Sequence, residues 1–345
     1  MHNSVVSSIK YRPTDFDEVI GQRSITSTLE RAIVSNRLAP SLLFCGPHGV
    51  GKTTCARILA RKVNEKEGGG IDHTFNIFEL DAASNNSVED IRNLIDQLRF
   101  LPQQGSYKIY IIDEVHMLST SAFNAFLKTL EEPPAHVIFI LATTEKHKIL
   151  PTILSRCQVY EFRNISVQDI YKKLRQISDI EGIKAEDEAL YLIAKRADGA
   201  LRDALGIFDR LVSFSGKELT VVLVRDQLGI LNIDYYFKAI DFILGKDINS
   251  LLILFNEVLQ EGFDGRRFMS GLTEHIRNLM VSSTNSLLDL TKEIQKKYIQ
   301  QNAIISENFL IKALLICQRA EIESKESINH RLSIEISLIQ LASLS

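Results

Sequence analysis

The sequence predicts an α/β domain, a parallel sheet covered by helices, followed by a small helical domain and a larger all-α block. Three observations carry this. Short apolar runs alternate with segments of helical spacing over the first half of the chain. The first of these runs ends in a glycine-rich turn that leads into a helix. From Ser166 onward the strand signal fades and helical spacing alone remains.

The elements follow in order. Residues 24–37 read as a helix, with Ile25, Leu29, Ile33 and Leu38 on one face. The run 42–44 is a strand and 51–63 a helix, after which Gly68-Gly69-Gly70 breaks the pattern. Residues 75–80 read as a strand and 88–98 as a helix. Residues 109–112 form a buried strand that ends at Asp113. The helix 121–130 is stopped by Pro133-Pro134, since a residue before proline is pushed out of the helical region. The runs 137–141 and 159–162 complete the sheet. Runs that are apolar throughout belong to strands covered on both faces, which is the mark of a parallel sheet. Residues 170–177, 188–196, 201–212 and 219–228 have helical spacing, punctuated by Gly182, Gly199 and Gly216. A last helical block starts near Ile230. Its stretches 309–319 and 332–341 are strongly apolar on one side. The expected boundaries are 1–163, 164–228 and 229–345.

A chain of 345 residues exceeds what one hydrophobic core usually holds, so two or three domains are expected. With 45% hydrophobic and 24% charged residues the composition is that of a soluble globular protein. No apolar run approaches the ~20 residues that span a bilayer. The start, Met1-His2-Asn3-Ser4, lacks a secretory pattern, so a cytoplasmic protein is expected, with no membrane partner. A net charge of −3 gives no global basic field, so any nucleic-acid binding must rest on a local basic surface. Cys45, Cys55, Cys157 and Cys317 are scattered, which indicates neither a zinc site nor disulfides. Cys45 and Cys55 read as small core residues.

Gly46-Pro47-His48-Gly49-Val50-Gly51-Lys52-Thr53 fits G-x-x-x-x-G-K-[ST], between a strand and a helix. Such glycines let backbone N–H groups wrap phosphates in front of a helix N-terminus. Lys52 would meet the β- and γ-phosphates. The Thr53 hydroxyl would ligate Mg²⁺, and Thr54 follows it as a further nucleotide contact. Asp113-Glu114 closes the strand 109–112, where such proteins place a second carboxylate for Mg²⁺. Asp113 would hold the ion and Glu114 would polarise the attacking water; the plain alternative is a pair of acids capping the next helix. Thr143-Thr144 follows the strand 137–141, and a hydroxyl there can orient the water, although threonine after a strand is commonly a turn residue. Arg156 and Arg202, by themselves, read as surface residues, Arg202 beside Asp198 and Asp203.

Several motifs stand in order along the chain: Tyr11-Arg12-Pro13, Val19-Ile20-Gly21-Gln22, the phosphate loop, Leu80-Asp81-Ala82-Ala83-Ser84-Asn85 and Asp113-Glu114-Val115-His116-Met117-Leu118. They continue with Leu127-Lys128-Thr129-Leu130-Glu131-Glu132-Pro133-Pro134, Leu141-Ala142-Thr143-Thr144 and Ser155-Arg156-Cys157. In this order they resemble the gamma/tau family of clamp-loader ATPases of bacterial DNA polymerase III, within the AAA+ ATPases. The resemblance covers nearly the whole chain and is strongest over 8–205. It implies a P-loop AAA+ domain, a small helical lid and an all-α C-terminal collar that oligomerises.

The resemblance also implies roles. Tyr11, Arg12, Val19 and Ile20 match adenine and ribose contacts, and Thr144 matches a first sensor. Arg202 matches a second sensor carried by the lid. Arg156 matches an arginine finger that completes the ATP site of a neighbouring subunit. A guanidinium supplied in trans stabilises charge developing on the transferred phosphoryl and ties hydrolysis to assembly. Arg92 and Lys128 match positions facing DNA, both on helices, which suits contacts to the phosphate backbone; each also reads as a solvated helix face. The implied cofactors are ATP and Mg²⁺. The implied partners are other clamp-loader subunits in a hetero-oligomeric ring, the sliding clamp and primer–template DNA.

The family usually carries a four-cysteine zinc module after the P-loop helix. Residues 61–73 occupy that place without a cysteine, and His73 alone cannot make the site, so no zinc is expected. The chain ends about where the collar should end, which suggests the shorter gamma-like form or a truncation. The sequence has no polymerase carboxylate constellation, so a polymerase or transferase label would belong to the holoenzyme. Two rivals stand beside this reading. A non-catalytic clamp-loader subunit would lack the intact Lys52, Thr53 and Asp113. Another AAA+ motor, such as a branch-migration helicase, would carry a C-terminal winged helix.

Overall fold

A computed structural model describes residues 6–65, 73–102, 106–282 and 292–344. The chain divides into two compact units, Met1–Val224 and Arg225–Ser345. The first opens with α1 (Ser7–Lys10), α2 (Arg23–Val34), β1 (Ser41–Cys45), α3 (Lys52–Glu65), β2 (Ile77–Asp81) and α4 (Val88–Gln97). Next come β3 (Lys108–Asp113), α5 (Thr120–Glu131), β4 (Val137–Thr143), α6 (Pro151–Leu154) and β5 (Gln158–Glu161). A helical segment follows, with α7 (Val167–Glu181), β6 (Lys184–Ala185), α8 (Asp187–Arg196), α9 (Leu201–Ser215), β7 (Glu218–Leu219) and α10 (Val221–Leu228).

The five long strands form one sheet in the order β2-β3-β4-β1-β5, every pairing parallel. Strands β1 and β4 are buried along their whole length, which is why they read as unbroken apolar runs. Their side chains alternate between two cores. Leu42, Phe44, Ile109, Ile111 and Ile140 pack with Ile25, Leu29, Ile58 and Leu59 of α2 and α3. Leu43, Tyr110, Ile112, Phe139 and Leu141 pack with Ile91, Leu94, Phe123 and Phe126 of α4 and α5. The register pairs Cys45 with Thr143, Ile112 with Leu141 and Asp81 with Asp113. The ends of β1, β3 and β4 therefore lie on one edge of the sheet, where open α/β sheets bind ligands.

Helix ends follow local chemistry. Ser87 and Asp90 form a reciprocal capping box on α4, and Ser119 and Ser166 cap α5 and α7. Gly182 and Gly216 end α7 and α9 in the left-handed region. In the first unit the structure differs from the sequence reading in three places. The strand signal does not stop at Ser166, because β6 and β7 pair in parallel, and Leu219 belongs to β7 rather than to a helix. Helix α2 ends at Val34, and Asn36 turns the chain at φ +55°. Residues 73–76 form a 3₁₀ turn, so β2 begins at Ile77. Gly68-Gly69-Gly70 lies outside the described residues, as do all of residues 66–72 in the segment where no zinc is expected.

The second unit contains α11 (Ile233–Leu244), α12 (Ile248–Gln260), α13 (Gly265–Val281), α14 (Lys292–Asn302), α15 (Glu307–Glu326) and α16 (His330–Ser343). Its core holds Phe255, Phe268, Leu272, Tyr298, Leu310, Cys317 and Leu338. The expectation that its last two helices are apolar on one side needs correction. Beyond the buried residues, α15 exposes Ile311, Leu315 and Ile322, and α16 exposes Leu332, Ile336 and Ile339. Among the described residues no helix is long and apolar enough to cross a membrane.

Candidate active site

The turn after β1 is held by glycine where other residues would not fit. Gly46 has φ +150°, and a Cβ there would meet the Phe162 carbonyl oxygen at 2.4 Å. Gly49 has φ +71°, and its Cβ would meet that of Ala200 at 3.0 Å. Lys52 opens α3 and is 6% exposed. Its ammonium donates to the carbonyls of Gly46 at 2.8 Å and Pro47 at 2.7 Å. Burial lowers the Lys52 pKa, while the charges of Glu114 and Asp113 work against that. A buried cation hydrogen-bonded to neutral carbonyls is costly, and a phosphate chain is an anion that would offset that cost. The loop thus fits a phosphate chain.

Thr53 donates its hydroxyl to Asp113 Oδ2 at 2.6 Å, while Asp113 Oδ1 accepts from the Glu114 amide at 3.0 Å. A hydroxyl and a carboxylate held together are hard oxygen donors that fit Mg²⁺, which takes few protein ligands and fills the rest with phosphates and water. Among the described residues no group of three or more His, Cys, Asp or Glu side chains is placed to hold a metal ion.

Glu114 is left-handed, at φ +48°, directly after β3. Its Oε2 accepts from the Thr144 hydroxyl at 3.0 Å and the Thr144 amide at 3.2 Å. His116, nearly buried, stands behind it. Its Nδ1 is 3.1 Å from Thr143 Oγ1 and 3.4 Å from Glu114 Oε2, and its Nε2 is 3.1 Å from Glu145 Oε2. Sequence reasoning missed His116 and Glu145, since neither is marked by spacing.

Lys52, Thr53, Asp113 and Glu114 border one cavity of about 610 Å³, within the size range of small-molecule sites. Of the expected residues, Tyr11, Arg12, Val19, Ile20, His48, Gly49, Val50, Gly51, Lys52, Thr53, Thr54, Asp113, Glu114 and Arg202 line it. Gly46 and Pro47 contribute the carbonyls that hold Lys52, and Thr144 reaches the site through Glu114. Pro13, Arg57, Ile165 and Leu205 also line it, unforeseen from the sequence. Arg202 lies in the first turn of α9, and its amide donates to the Gly49 carbonyl at 3.4 Å.

The far side of the cavity is tied to the helical segment. Tyr11 and Lys10 both donate to Glu181 at the end of α7, and the Ser7 amide donates to Asp209 of α9 at 2.7 Å. The Lys10 partner holds the Glu181 carboxyl below its usual range, and burial with the Glu181 contact raises the Tyr11 phenol.

Three expected residues stand apart. Arg156 does not line the cavity and is bound to Glu131 and the Thr152 carbonyl. Arg92 on α4 and Lys128 on α5 are exposed and also lie outside the cavity lining. Burial pushes Cys45 and Cys157 up to about 11 and Cys55 to about 12, so these thiols are inert as nucleophiles.

Three family models match the chain in succession. The model described as DNA polymerase III, delta subunit, covers residues 21–166. The model described as DNA polymerase III clamp loader subunit, ATPase lid domain, covers 169–217. The model described as DNA polymerase III subunits gamma and tau domain III covers 219–345. The DNA polymerase III subunit tau of Bacillus subtilis (strain 168) is 37% identical over 97% of this chain, which spans 62% of that relative's length. The DNA polymerase III subunit gamma of Buchnera aphidicola subsp. Baizongia pistaciae is 34% identical over 97% of this chain and 96% of its own. The solved structure of the Thermotoga maritima RuvB Holliday junction branch migration motor has a TM-score of 0.53. It is 21% identical and covers 74% of this chain and 86% of its own. At that identity the likeness speaks for the AAA+ fold alone.

Proposed function

This chain belongs to the gamma/tau subunit family of DNA polymerase III, and from that premise we propose that it is an ATP-driven motor subunit of the clamp loader. The observation that carries this is the convergence of Lys52, the Thr53–Asp113 pair and Glu114 on one cavity. Adenine and ribose would lie against Tyr11, Arg12, Val19 and Ile20. The phosphates would take the amides of the loop from Gly46 to Thr54, and the γ-phosphate would draw the Lys52 ammonium off the Gly46 and Pro47 carbonyls. Thr53 and Asp113 would hold Mg²⁺, which supplies neutralisation of charge between the β- and γ-phosphates.

Hydrolysis needs a water in line with the γ-phosphorus. Glu114 is the carboxylate in reach, and its contact with Thr144 fixes where it points. Arg202 enters from the helical segment and would read the γ-phosphate. Arg156, outside its own chain's cavity, would serve the neighbouring subunit, so turnover depends on assembly. The family reading divides the chain into an AAA+ domain over 1–163, a lid over 164–228 and a collar over 229–345. The exposed apolar residues of α15 and α16 suit a collar that packs against other subunits of the ring. Arg92 and Lys128 would touch the backbone of primer–template DNA. The sliding clamp is the cargo: ATP binding opens it and hydrolysis releases it on primed DNA in the cytoplasm. A polymerase label belongs to the holoenzyme. The intact site disfavours a non-catalytic subunit, although the 21–166 match carries a delta-subunit description.

The test is ATP hydrolysis by the loader assembled with its partner subunits. Turnover should rise when clamp and primed DNA are added together. Turnover indifferent to both, or strand separation without clamp, would overturn the reading.

A further inference from the structure

Arg156 is held by partners that its expected role does not explain. It stands between α6 and β5, with its side chain 31% exposed. Nε donates to Glu131 Oε1 at 2.9 Å and Nη2 donates to the same oxygen. Nη1 donates to the Thr152 carbonyl at 2.6 Å and to Ser155 Oγ at 3.2 Å. A guanidinium has five N–H donors in a fixed fork, so among the described residues these four bonds leave one donor on Nη2 for a ligand.

Glu131 is the last residue of α5, and Pro133 and Pro134 follow. A carboxylate at a helix C-terminus faces the negative end of the helix dipole, which is unfavourable unless a cation offsets it. Arg156 is such a cation. The pair also joins residues 25 positions apart in the chain, and that fixes the arginine relative to α5. A free arginine side chain samples many rotamers, and this grip removes much of that freedom before any ligand arrives.

We propose that Glu131 is the positioning residue of Arg156: it grips the Nε–Nη2 edge and aims the remaining Nη2 donor outward, at the nucleotide of the neighbouring subunit. This rests on the reading of Arg156 as the residue that acts in trans. Glu131 touches no substrate, so its effect reaches turnover alone. Losing the grip lowers kcat without changing how the chain's own cavity binds ATP.

The experiment uses the assembled loader with clamp and primed DNA, comparing wild type with Glu131→Ala, Glu131→Gln, Arg156→Ala and Glu131→Ala/Arg156→Ala. Turnover and the ATP dissociation constant are measured for each. Glu131→Ala should lower kcat roughly five- to twentyfold, with the dissociation constant and KM unchanged, as loss of an ordering contact predicts. Glu131→Gln keeps an acceptor at the same reach and should restore most of the turnover, which also separates the effect from misfolding. The double variant should be no slower than Arg156→Ala, the coupling expected of two residues acting as one. If Arg156→Ala retains full turnover, the trans reading fails and this proposal falls with it. If Arg156→Ala is slow while Glu131→Ala matches wild type, or the two losses multiply, this proposal alone is overturned. Raised turnover in Glu131→Ala without DNA would make Glu131 a restraint instead, and would overturn it too.

Discussion

The Thr144 side chain and amide both donate to a single oxygen of Glu114, at 3.0 and 3.2 Å. Two donors on one oxygen, in a residue held at φ +48°, give that carboxylate a fixed direction over the cavity. Glu114→Gln keeps the shape and removes the carboxylate proposed as the base. It should lower turnover by at least about 100-fold with ATP affinity nearly unchanged, since a positioned base contributes ~10²–10⁴. Thr144→Val removes one donor and should lower turnover about tenfold. Steady-state hydrolysis beside an equilibrium binding titration reads both. A variant that loses binding and turnover together would argue against these roles.

Lys52→Ala should behave in the opposite way. It removes a charge that the phosphates neutralise, and a charged hydrogen bond contributes about 1.5–3 kcal/mol. The ATP dissociation constant should rise ~10- to 150-fold. The nucleotide-free protein should lose little stability, because among the described residues the buried ammonium has as hydrogen-bond partners the neutral carbonyls of Gly46 and Pro47. Isothermal titration and thermal unfolding separate the two effects.

Gly46→Ala combines a left-handed backbone with a Cβ 2.4 Å from the Phe162 carbonyl oxygen. The loop or β5 must move, at a cost of order 1–3 kcal/mol. A lower melting temperature and a weaker nucleotide affinity are expected. Wild-type values for both would show that the loop yields without cost.

Acid should weaken the second unit through His275. This histidine is 2% exposed; Tyr298 stands 2.9 Å from its Nδ1, and burial lowers its pKa from 6.5 to about 4. Between those values the unfolded chain binds a proton that the folded chain refuses. Stability is therefore fully present above about pH 6.5, falls as pH drops toward 4, and changes by about 3 kcal/mol over that window. Calorimetry at several pH values on the whole chain, against His275→Gln, isolates this part. Equal slopes for the two proteins would contradict it.

What the sequence made legible follows from burial. Strands β1, β3 and β4 are covered on both faces, so their apolar runs stand out. Edge strand β2 is only partly buried, and its start was misjudged because exposed Phe75 extends the apolar run into the 3₁₀ turn. Two-residue strands such as β6 and β7 are too short to show a period. The loop, Asp113 and Glu114 were legible because their order in the chain is their order in the chemistry. The pairings of Thr144 with Glu114, Arg156 with Glu131 and Tyr11 with Glu181 were not, since each joins elements whose approach only the fold decides.

The proposed function rests on an ATP site built from two subunits. The most direct measurement is ATP turnover, with clamp and primed DNA, of loaders assembled from Glu114→Gln subunits, from Arg156→Ala subunits, and from both mixed. Each variant alone should be nearly inactive while binding ATP normally. The mixture should recover a clear fraction of wild-type turnover, because some sites then combine an intact Glu114 with an intact Arg156 from next door. A mixture as inactive as its parts, or Arg156→Ala subunits that no longer bind ATP, would contradict the account.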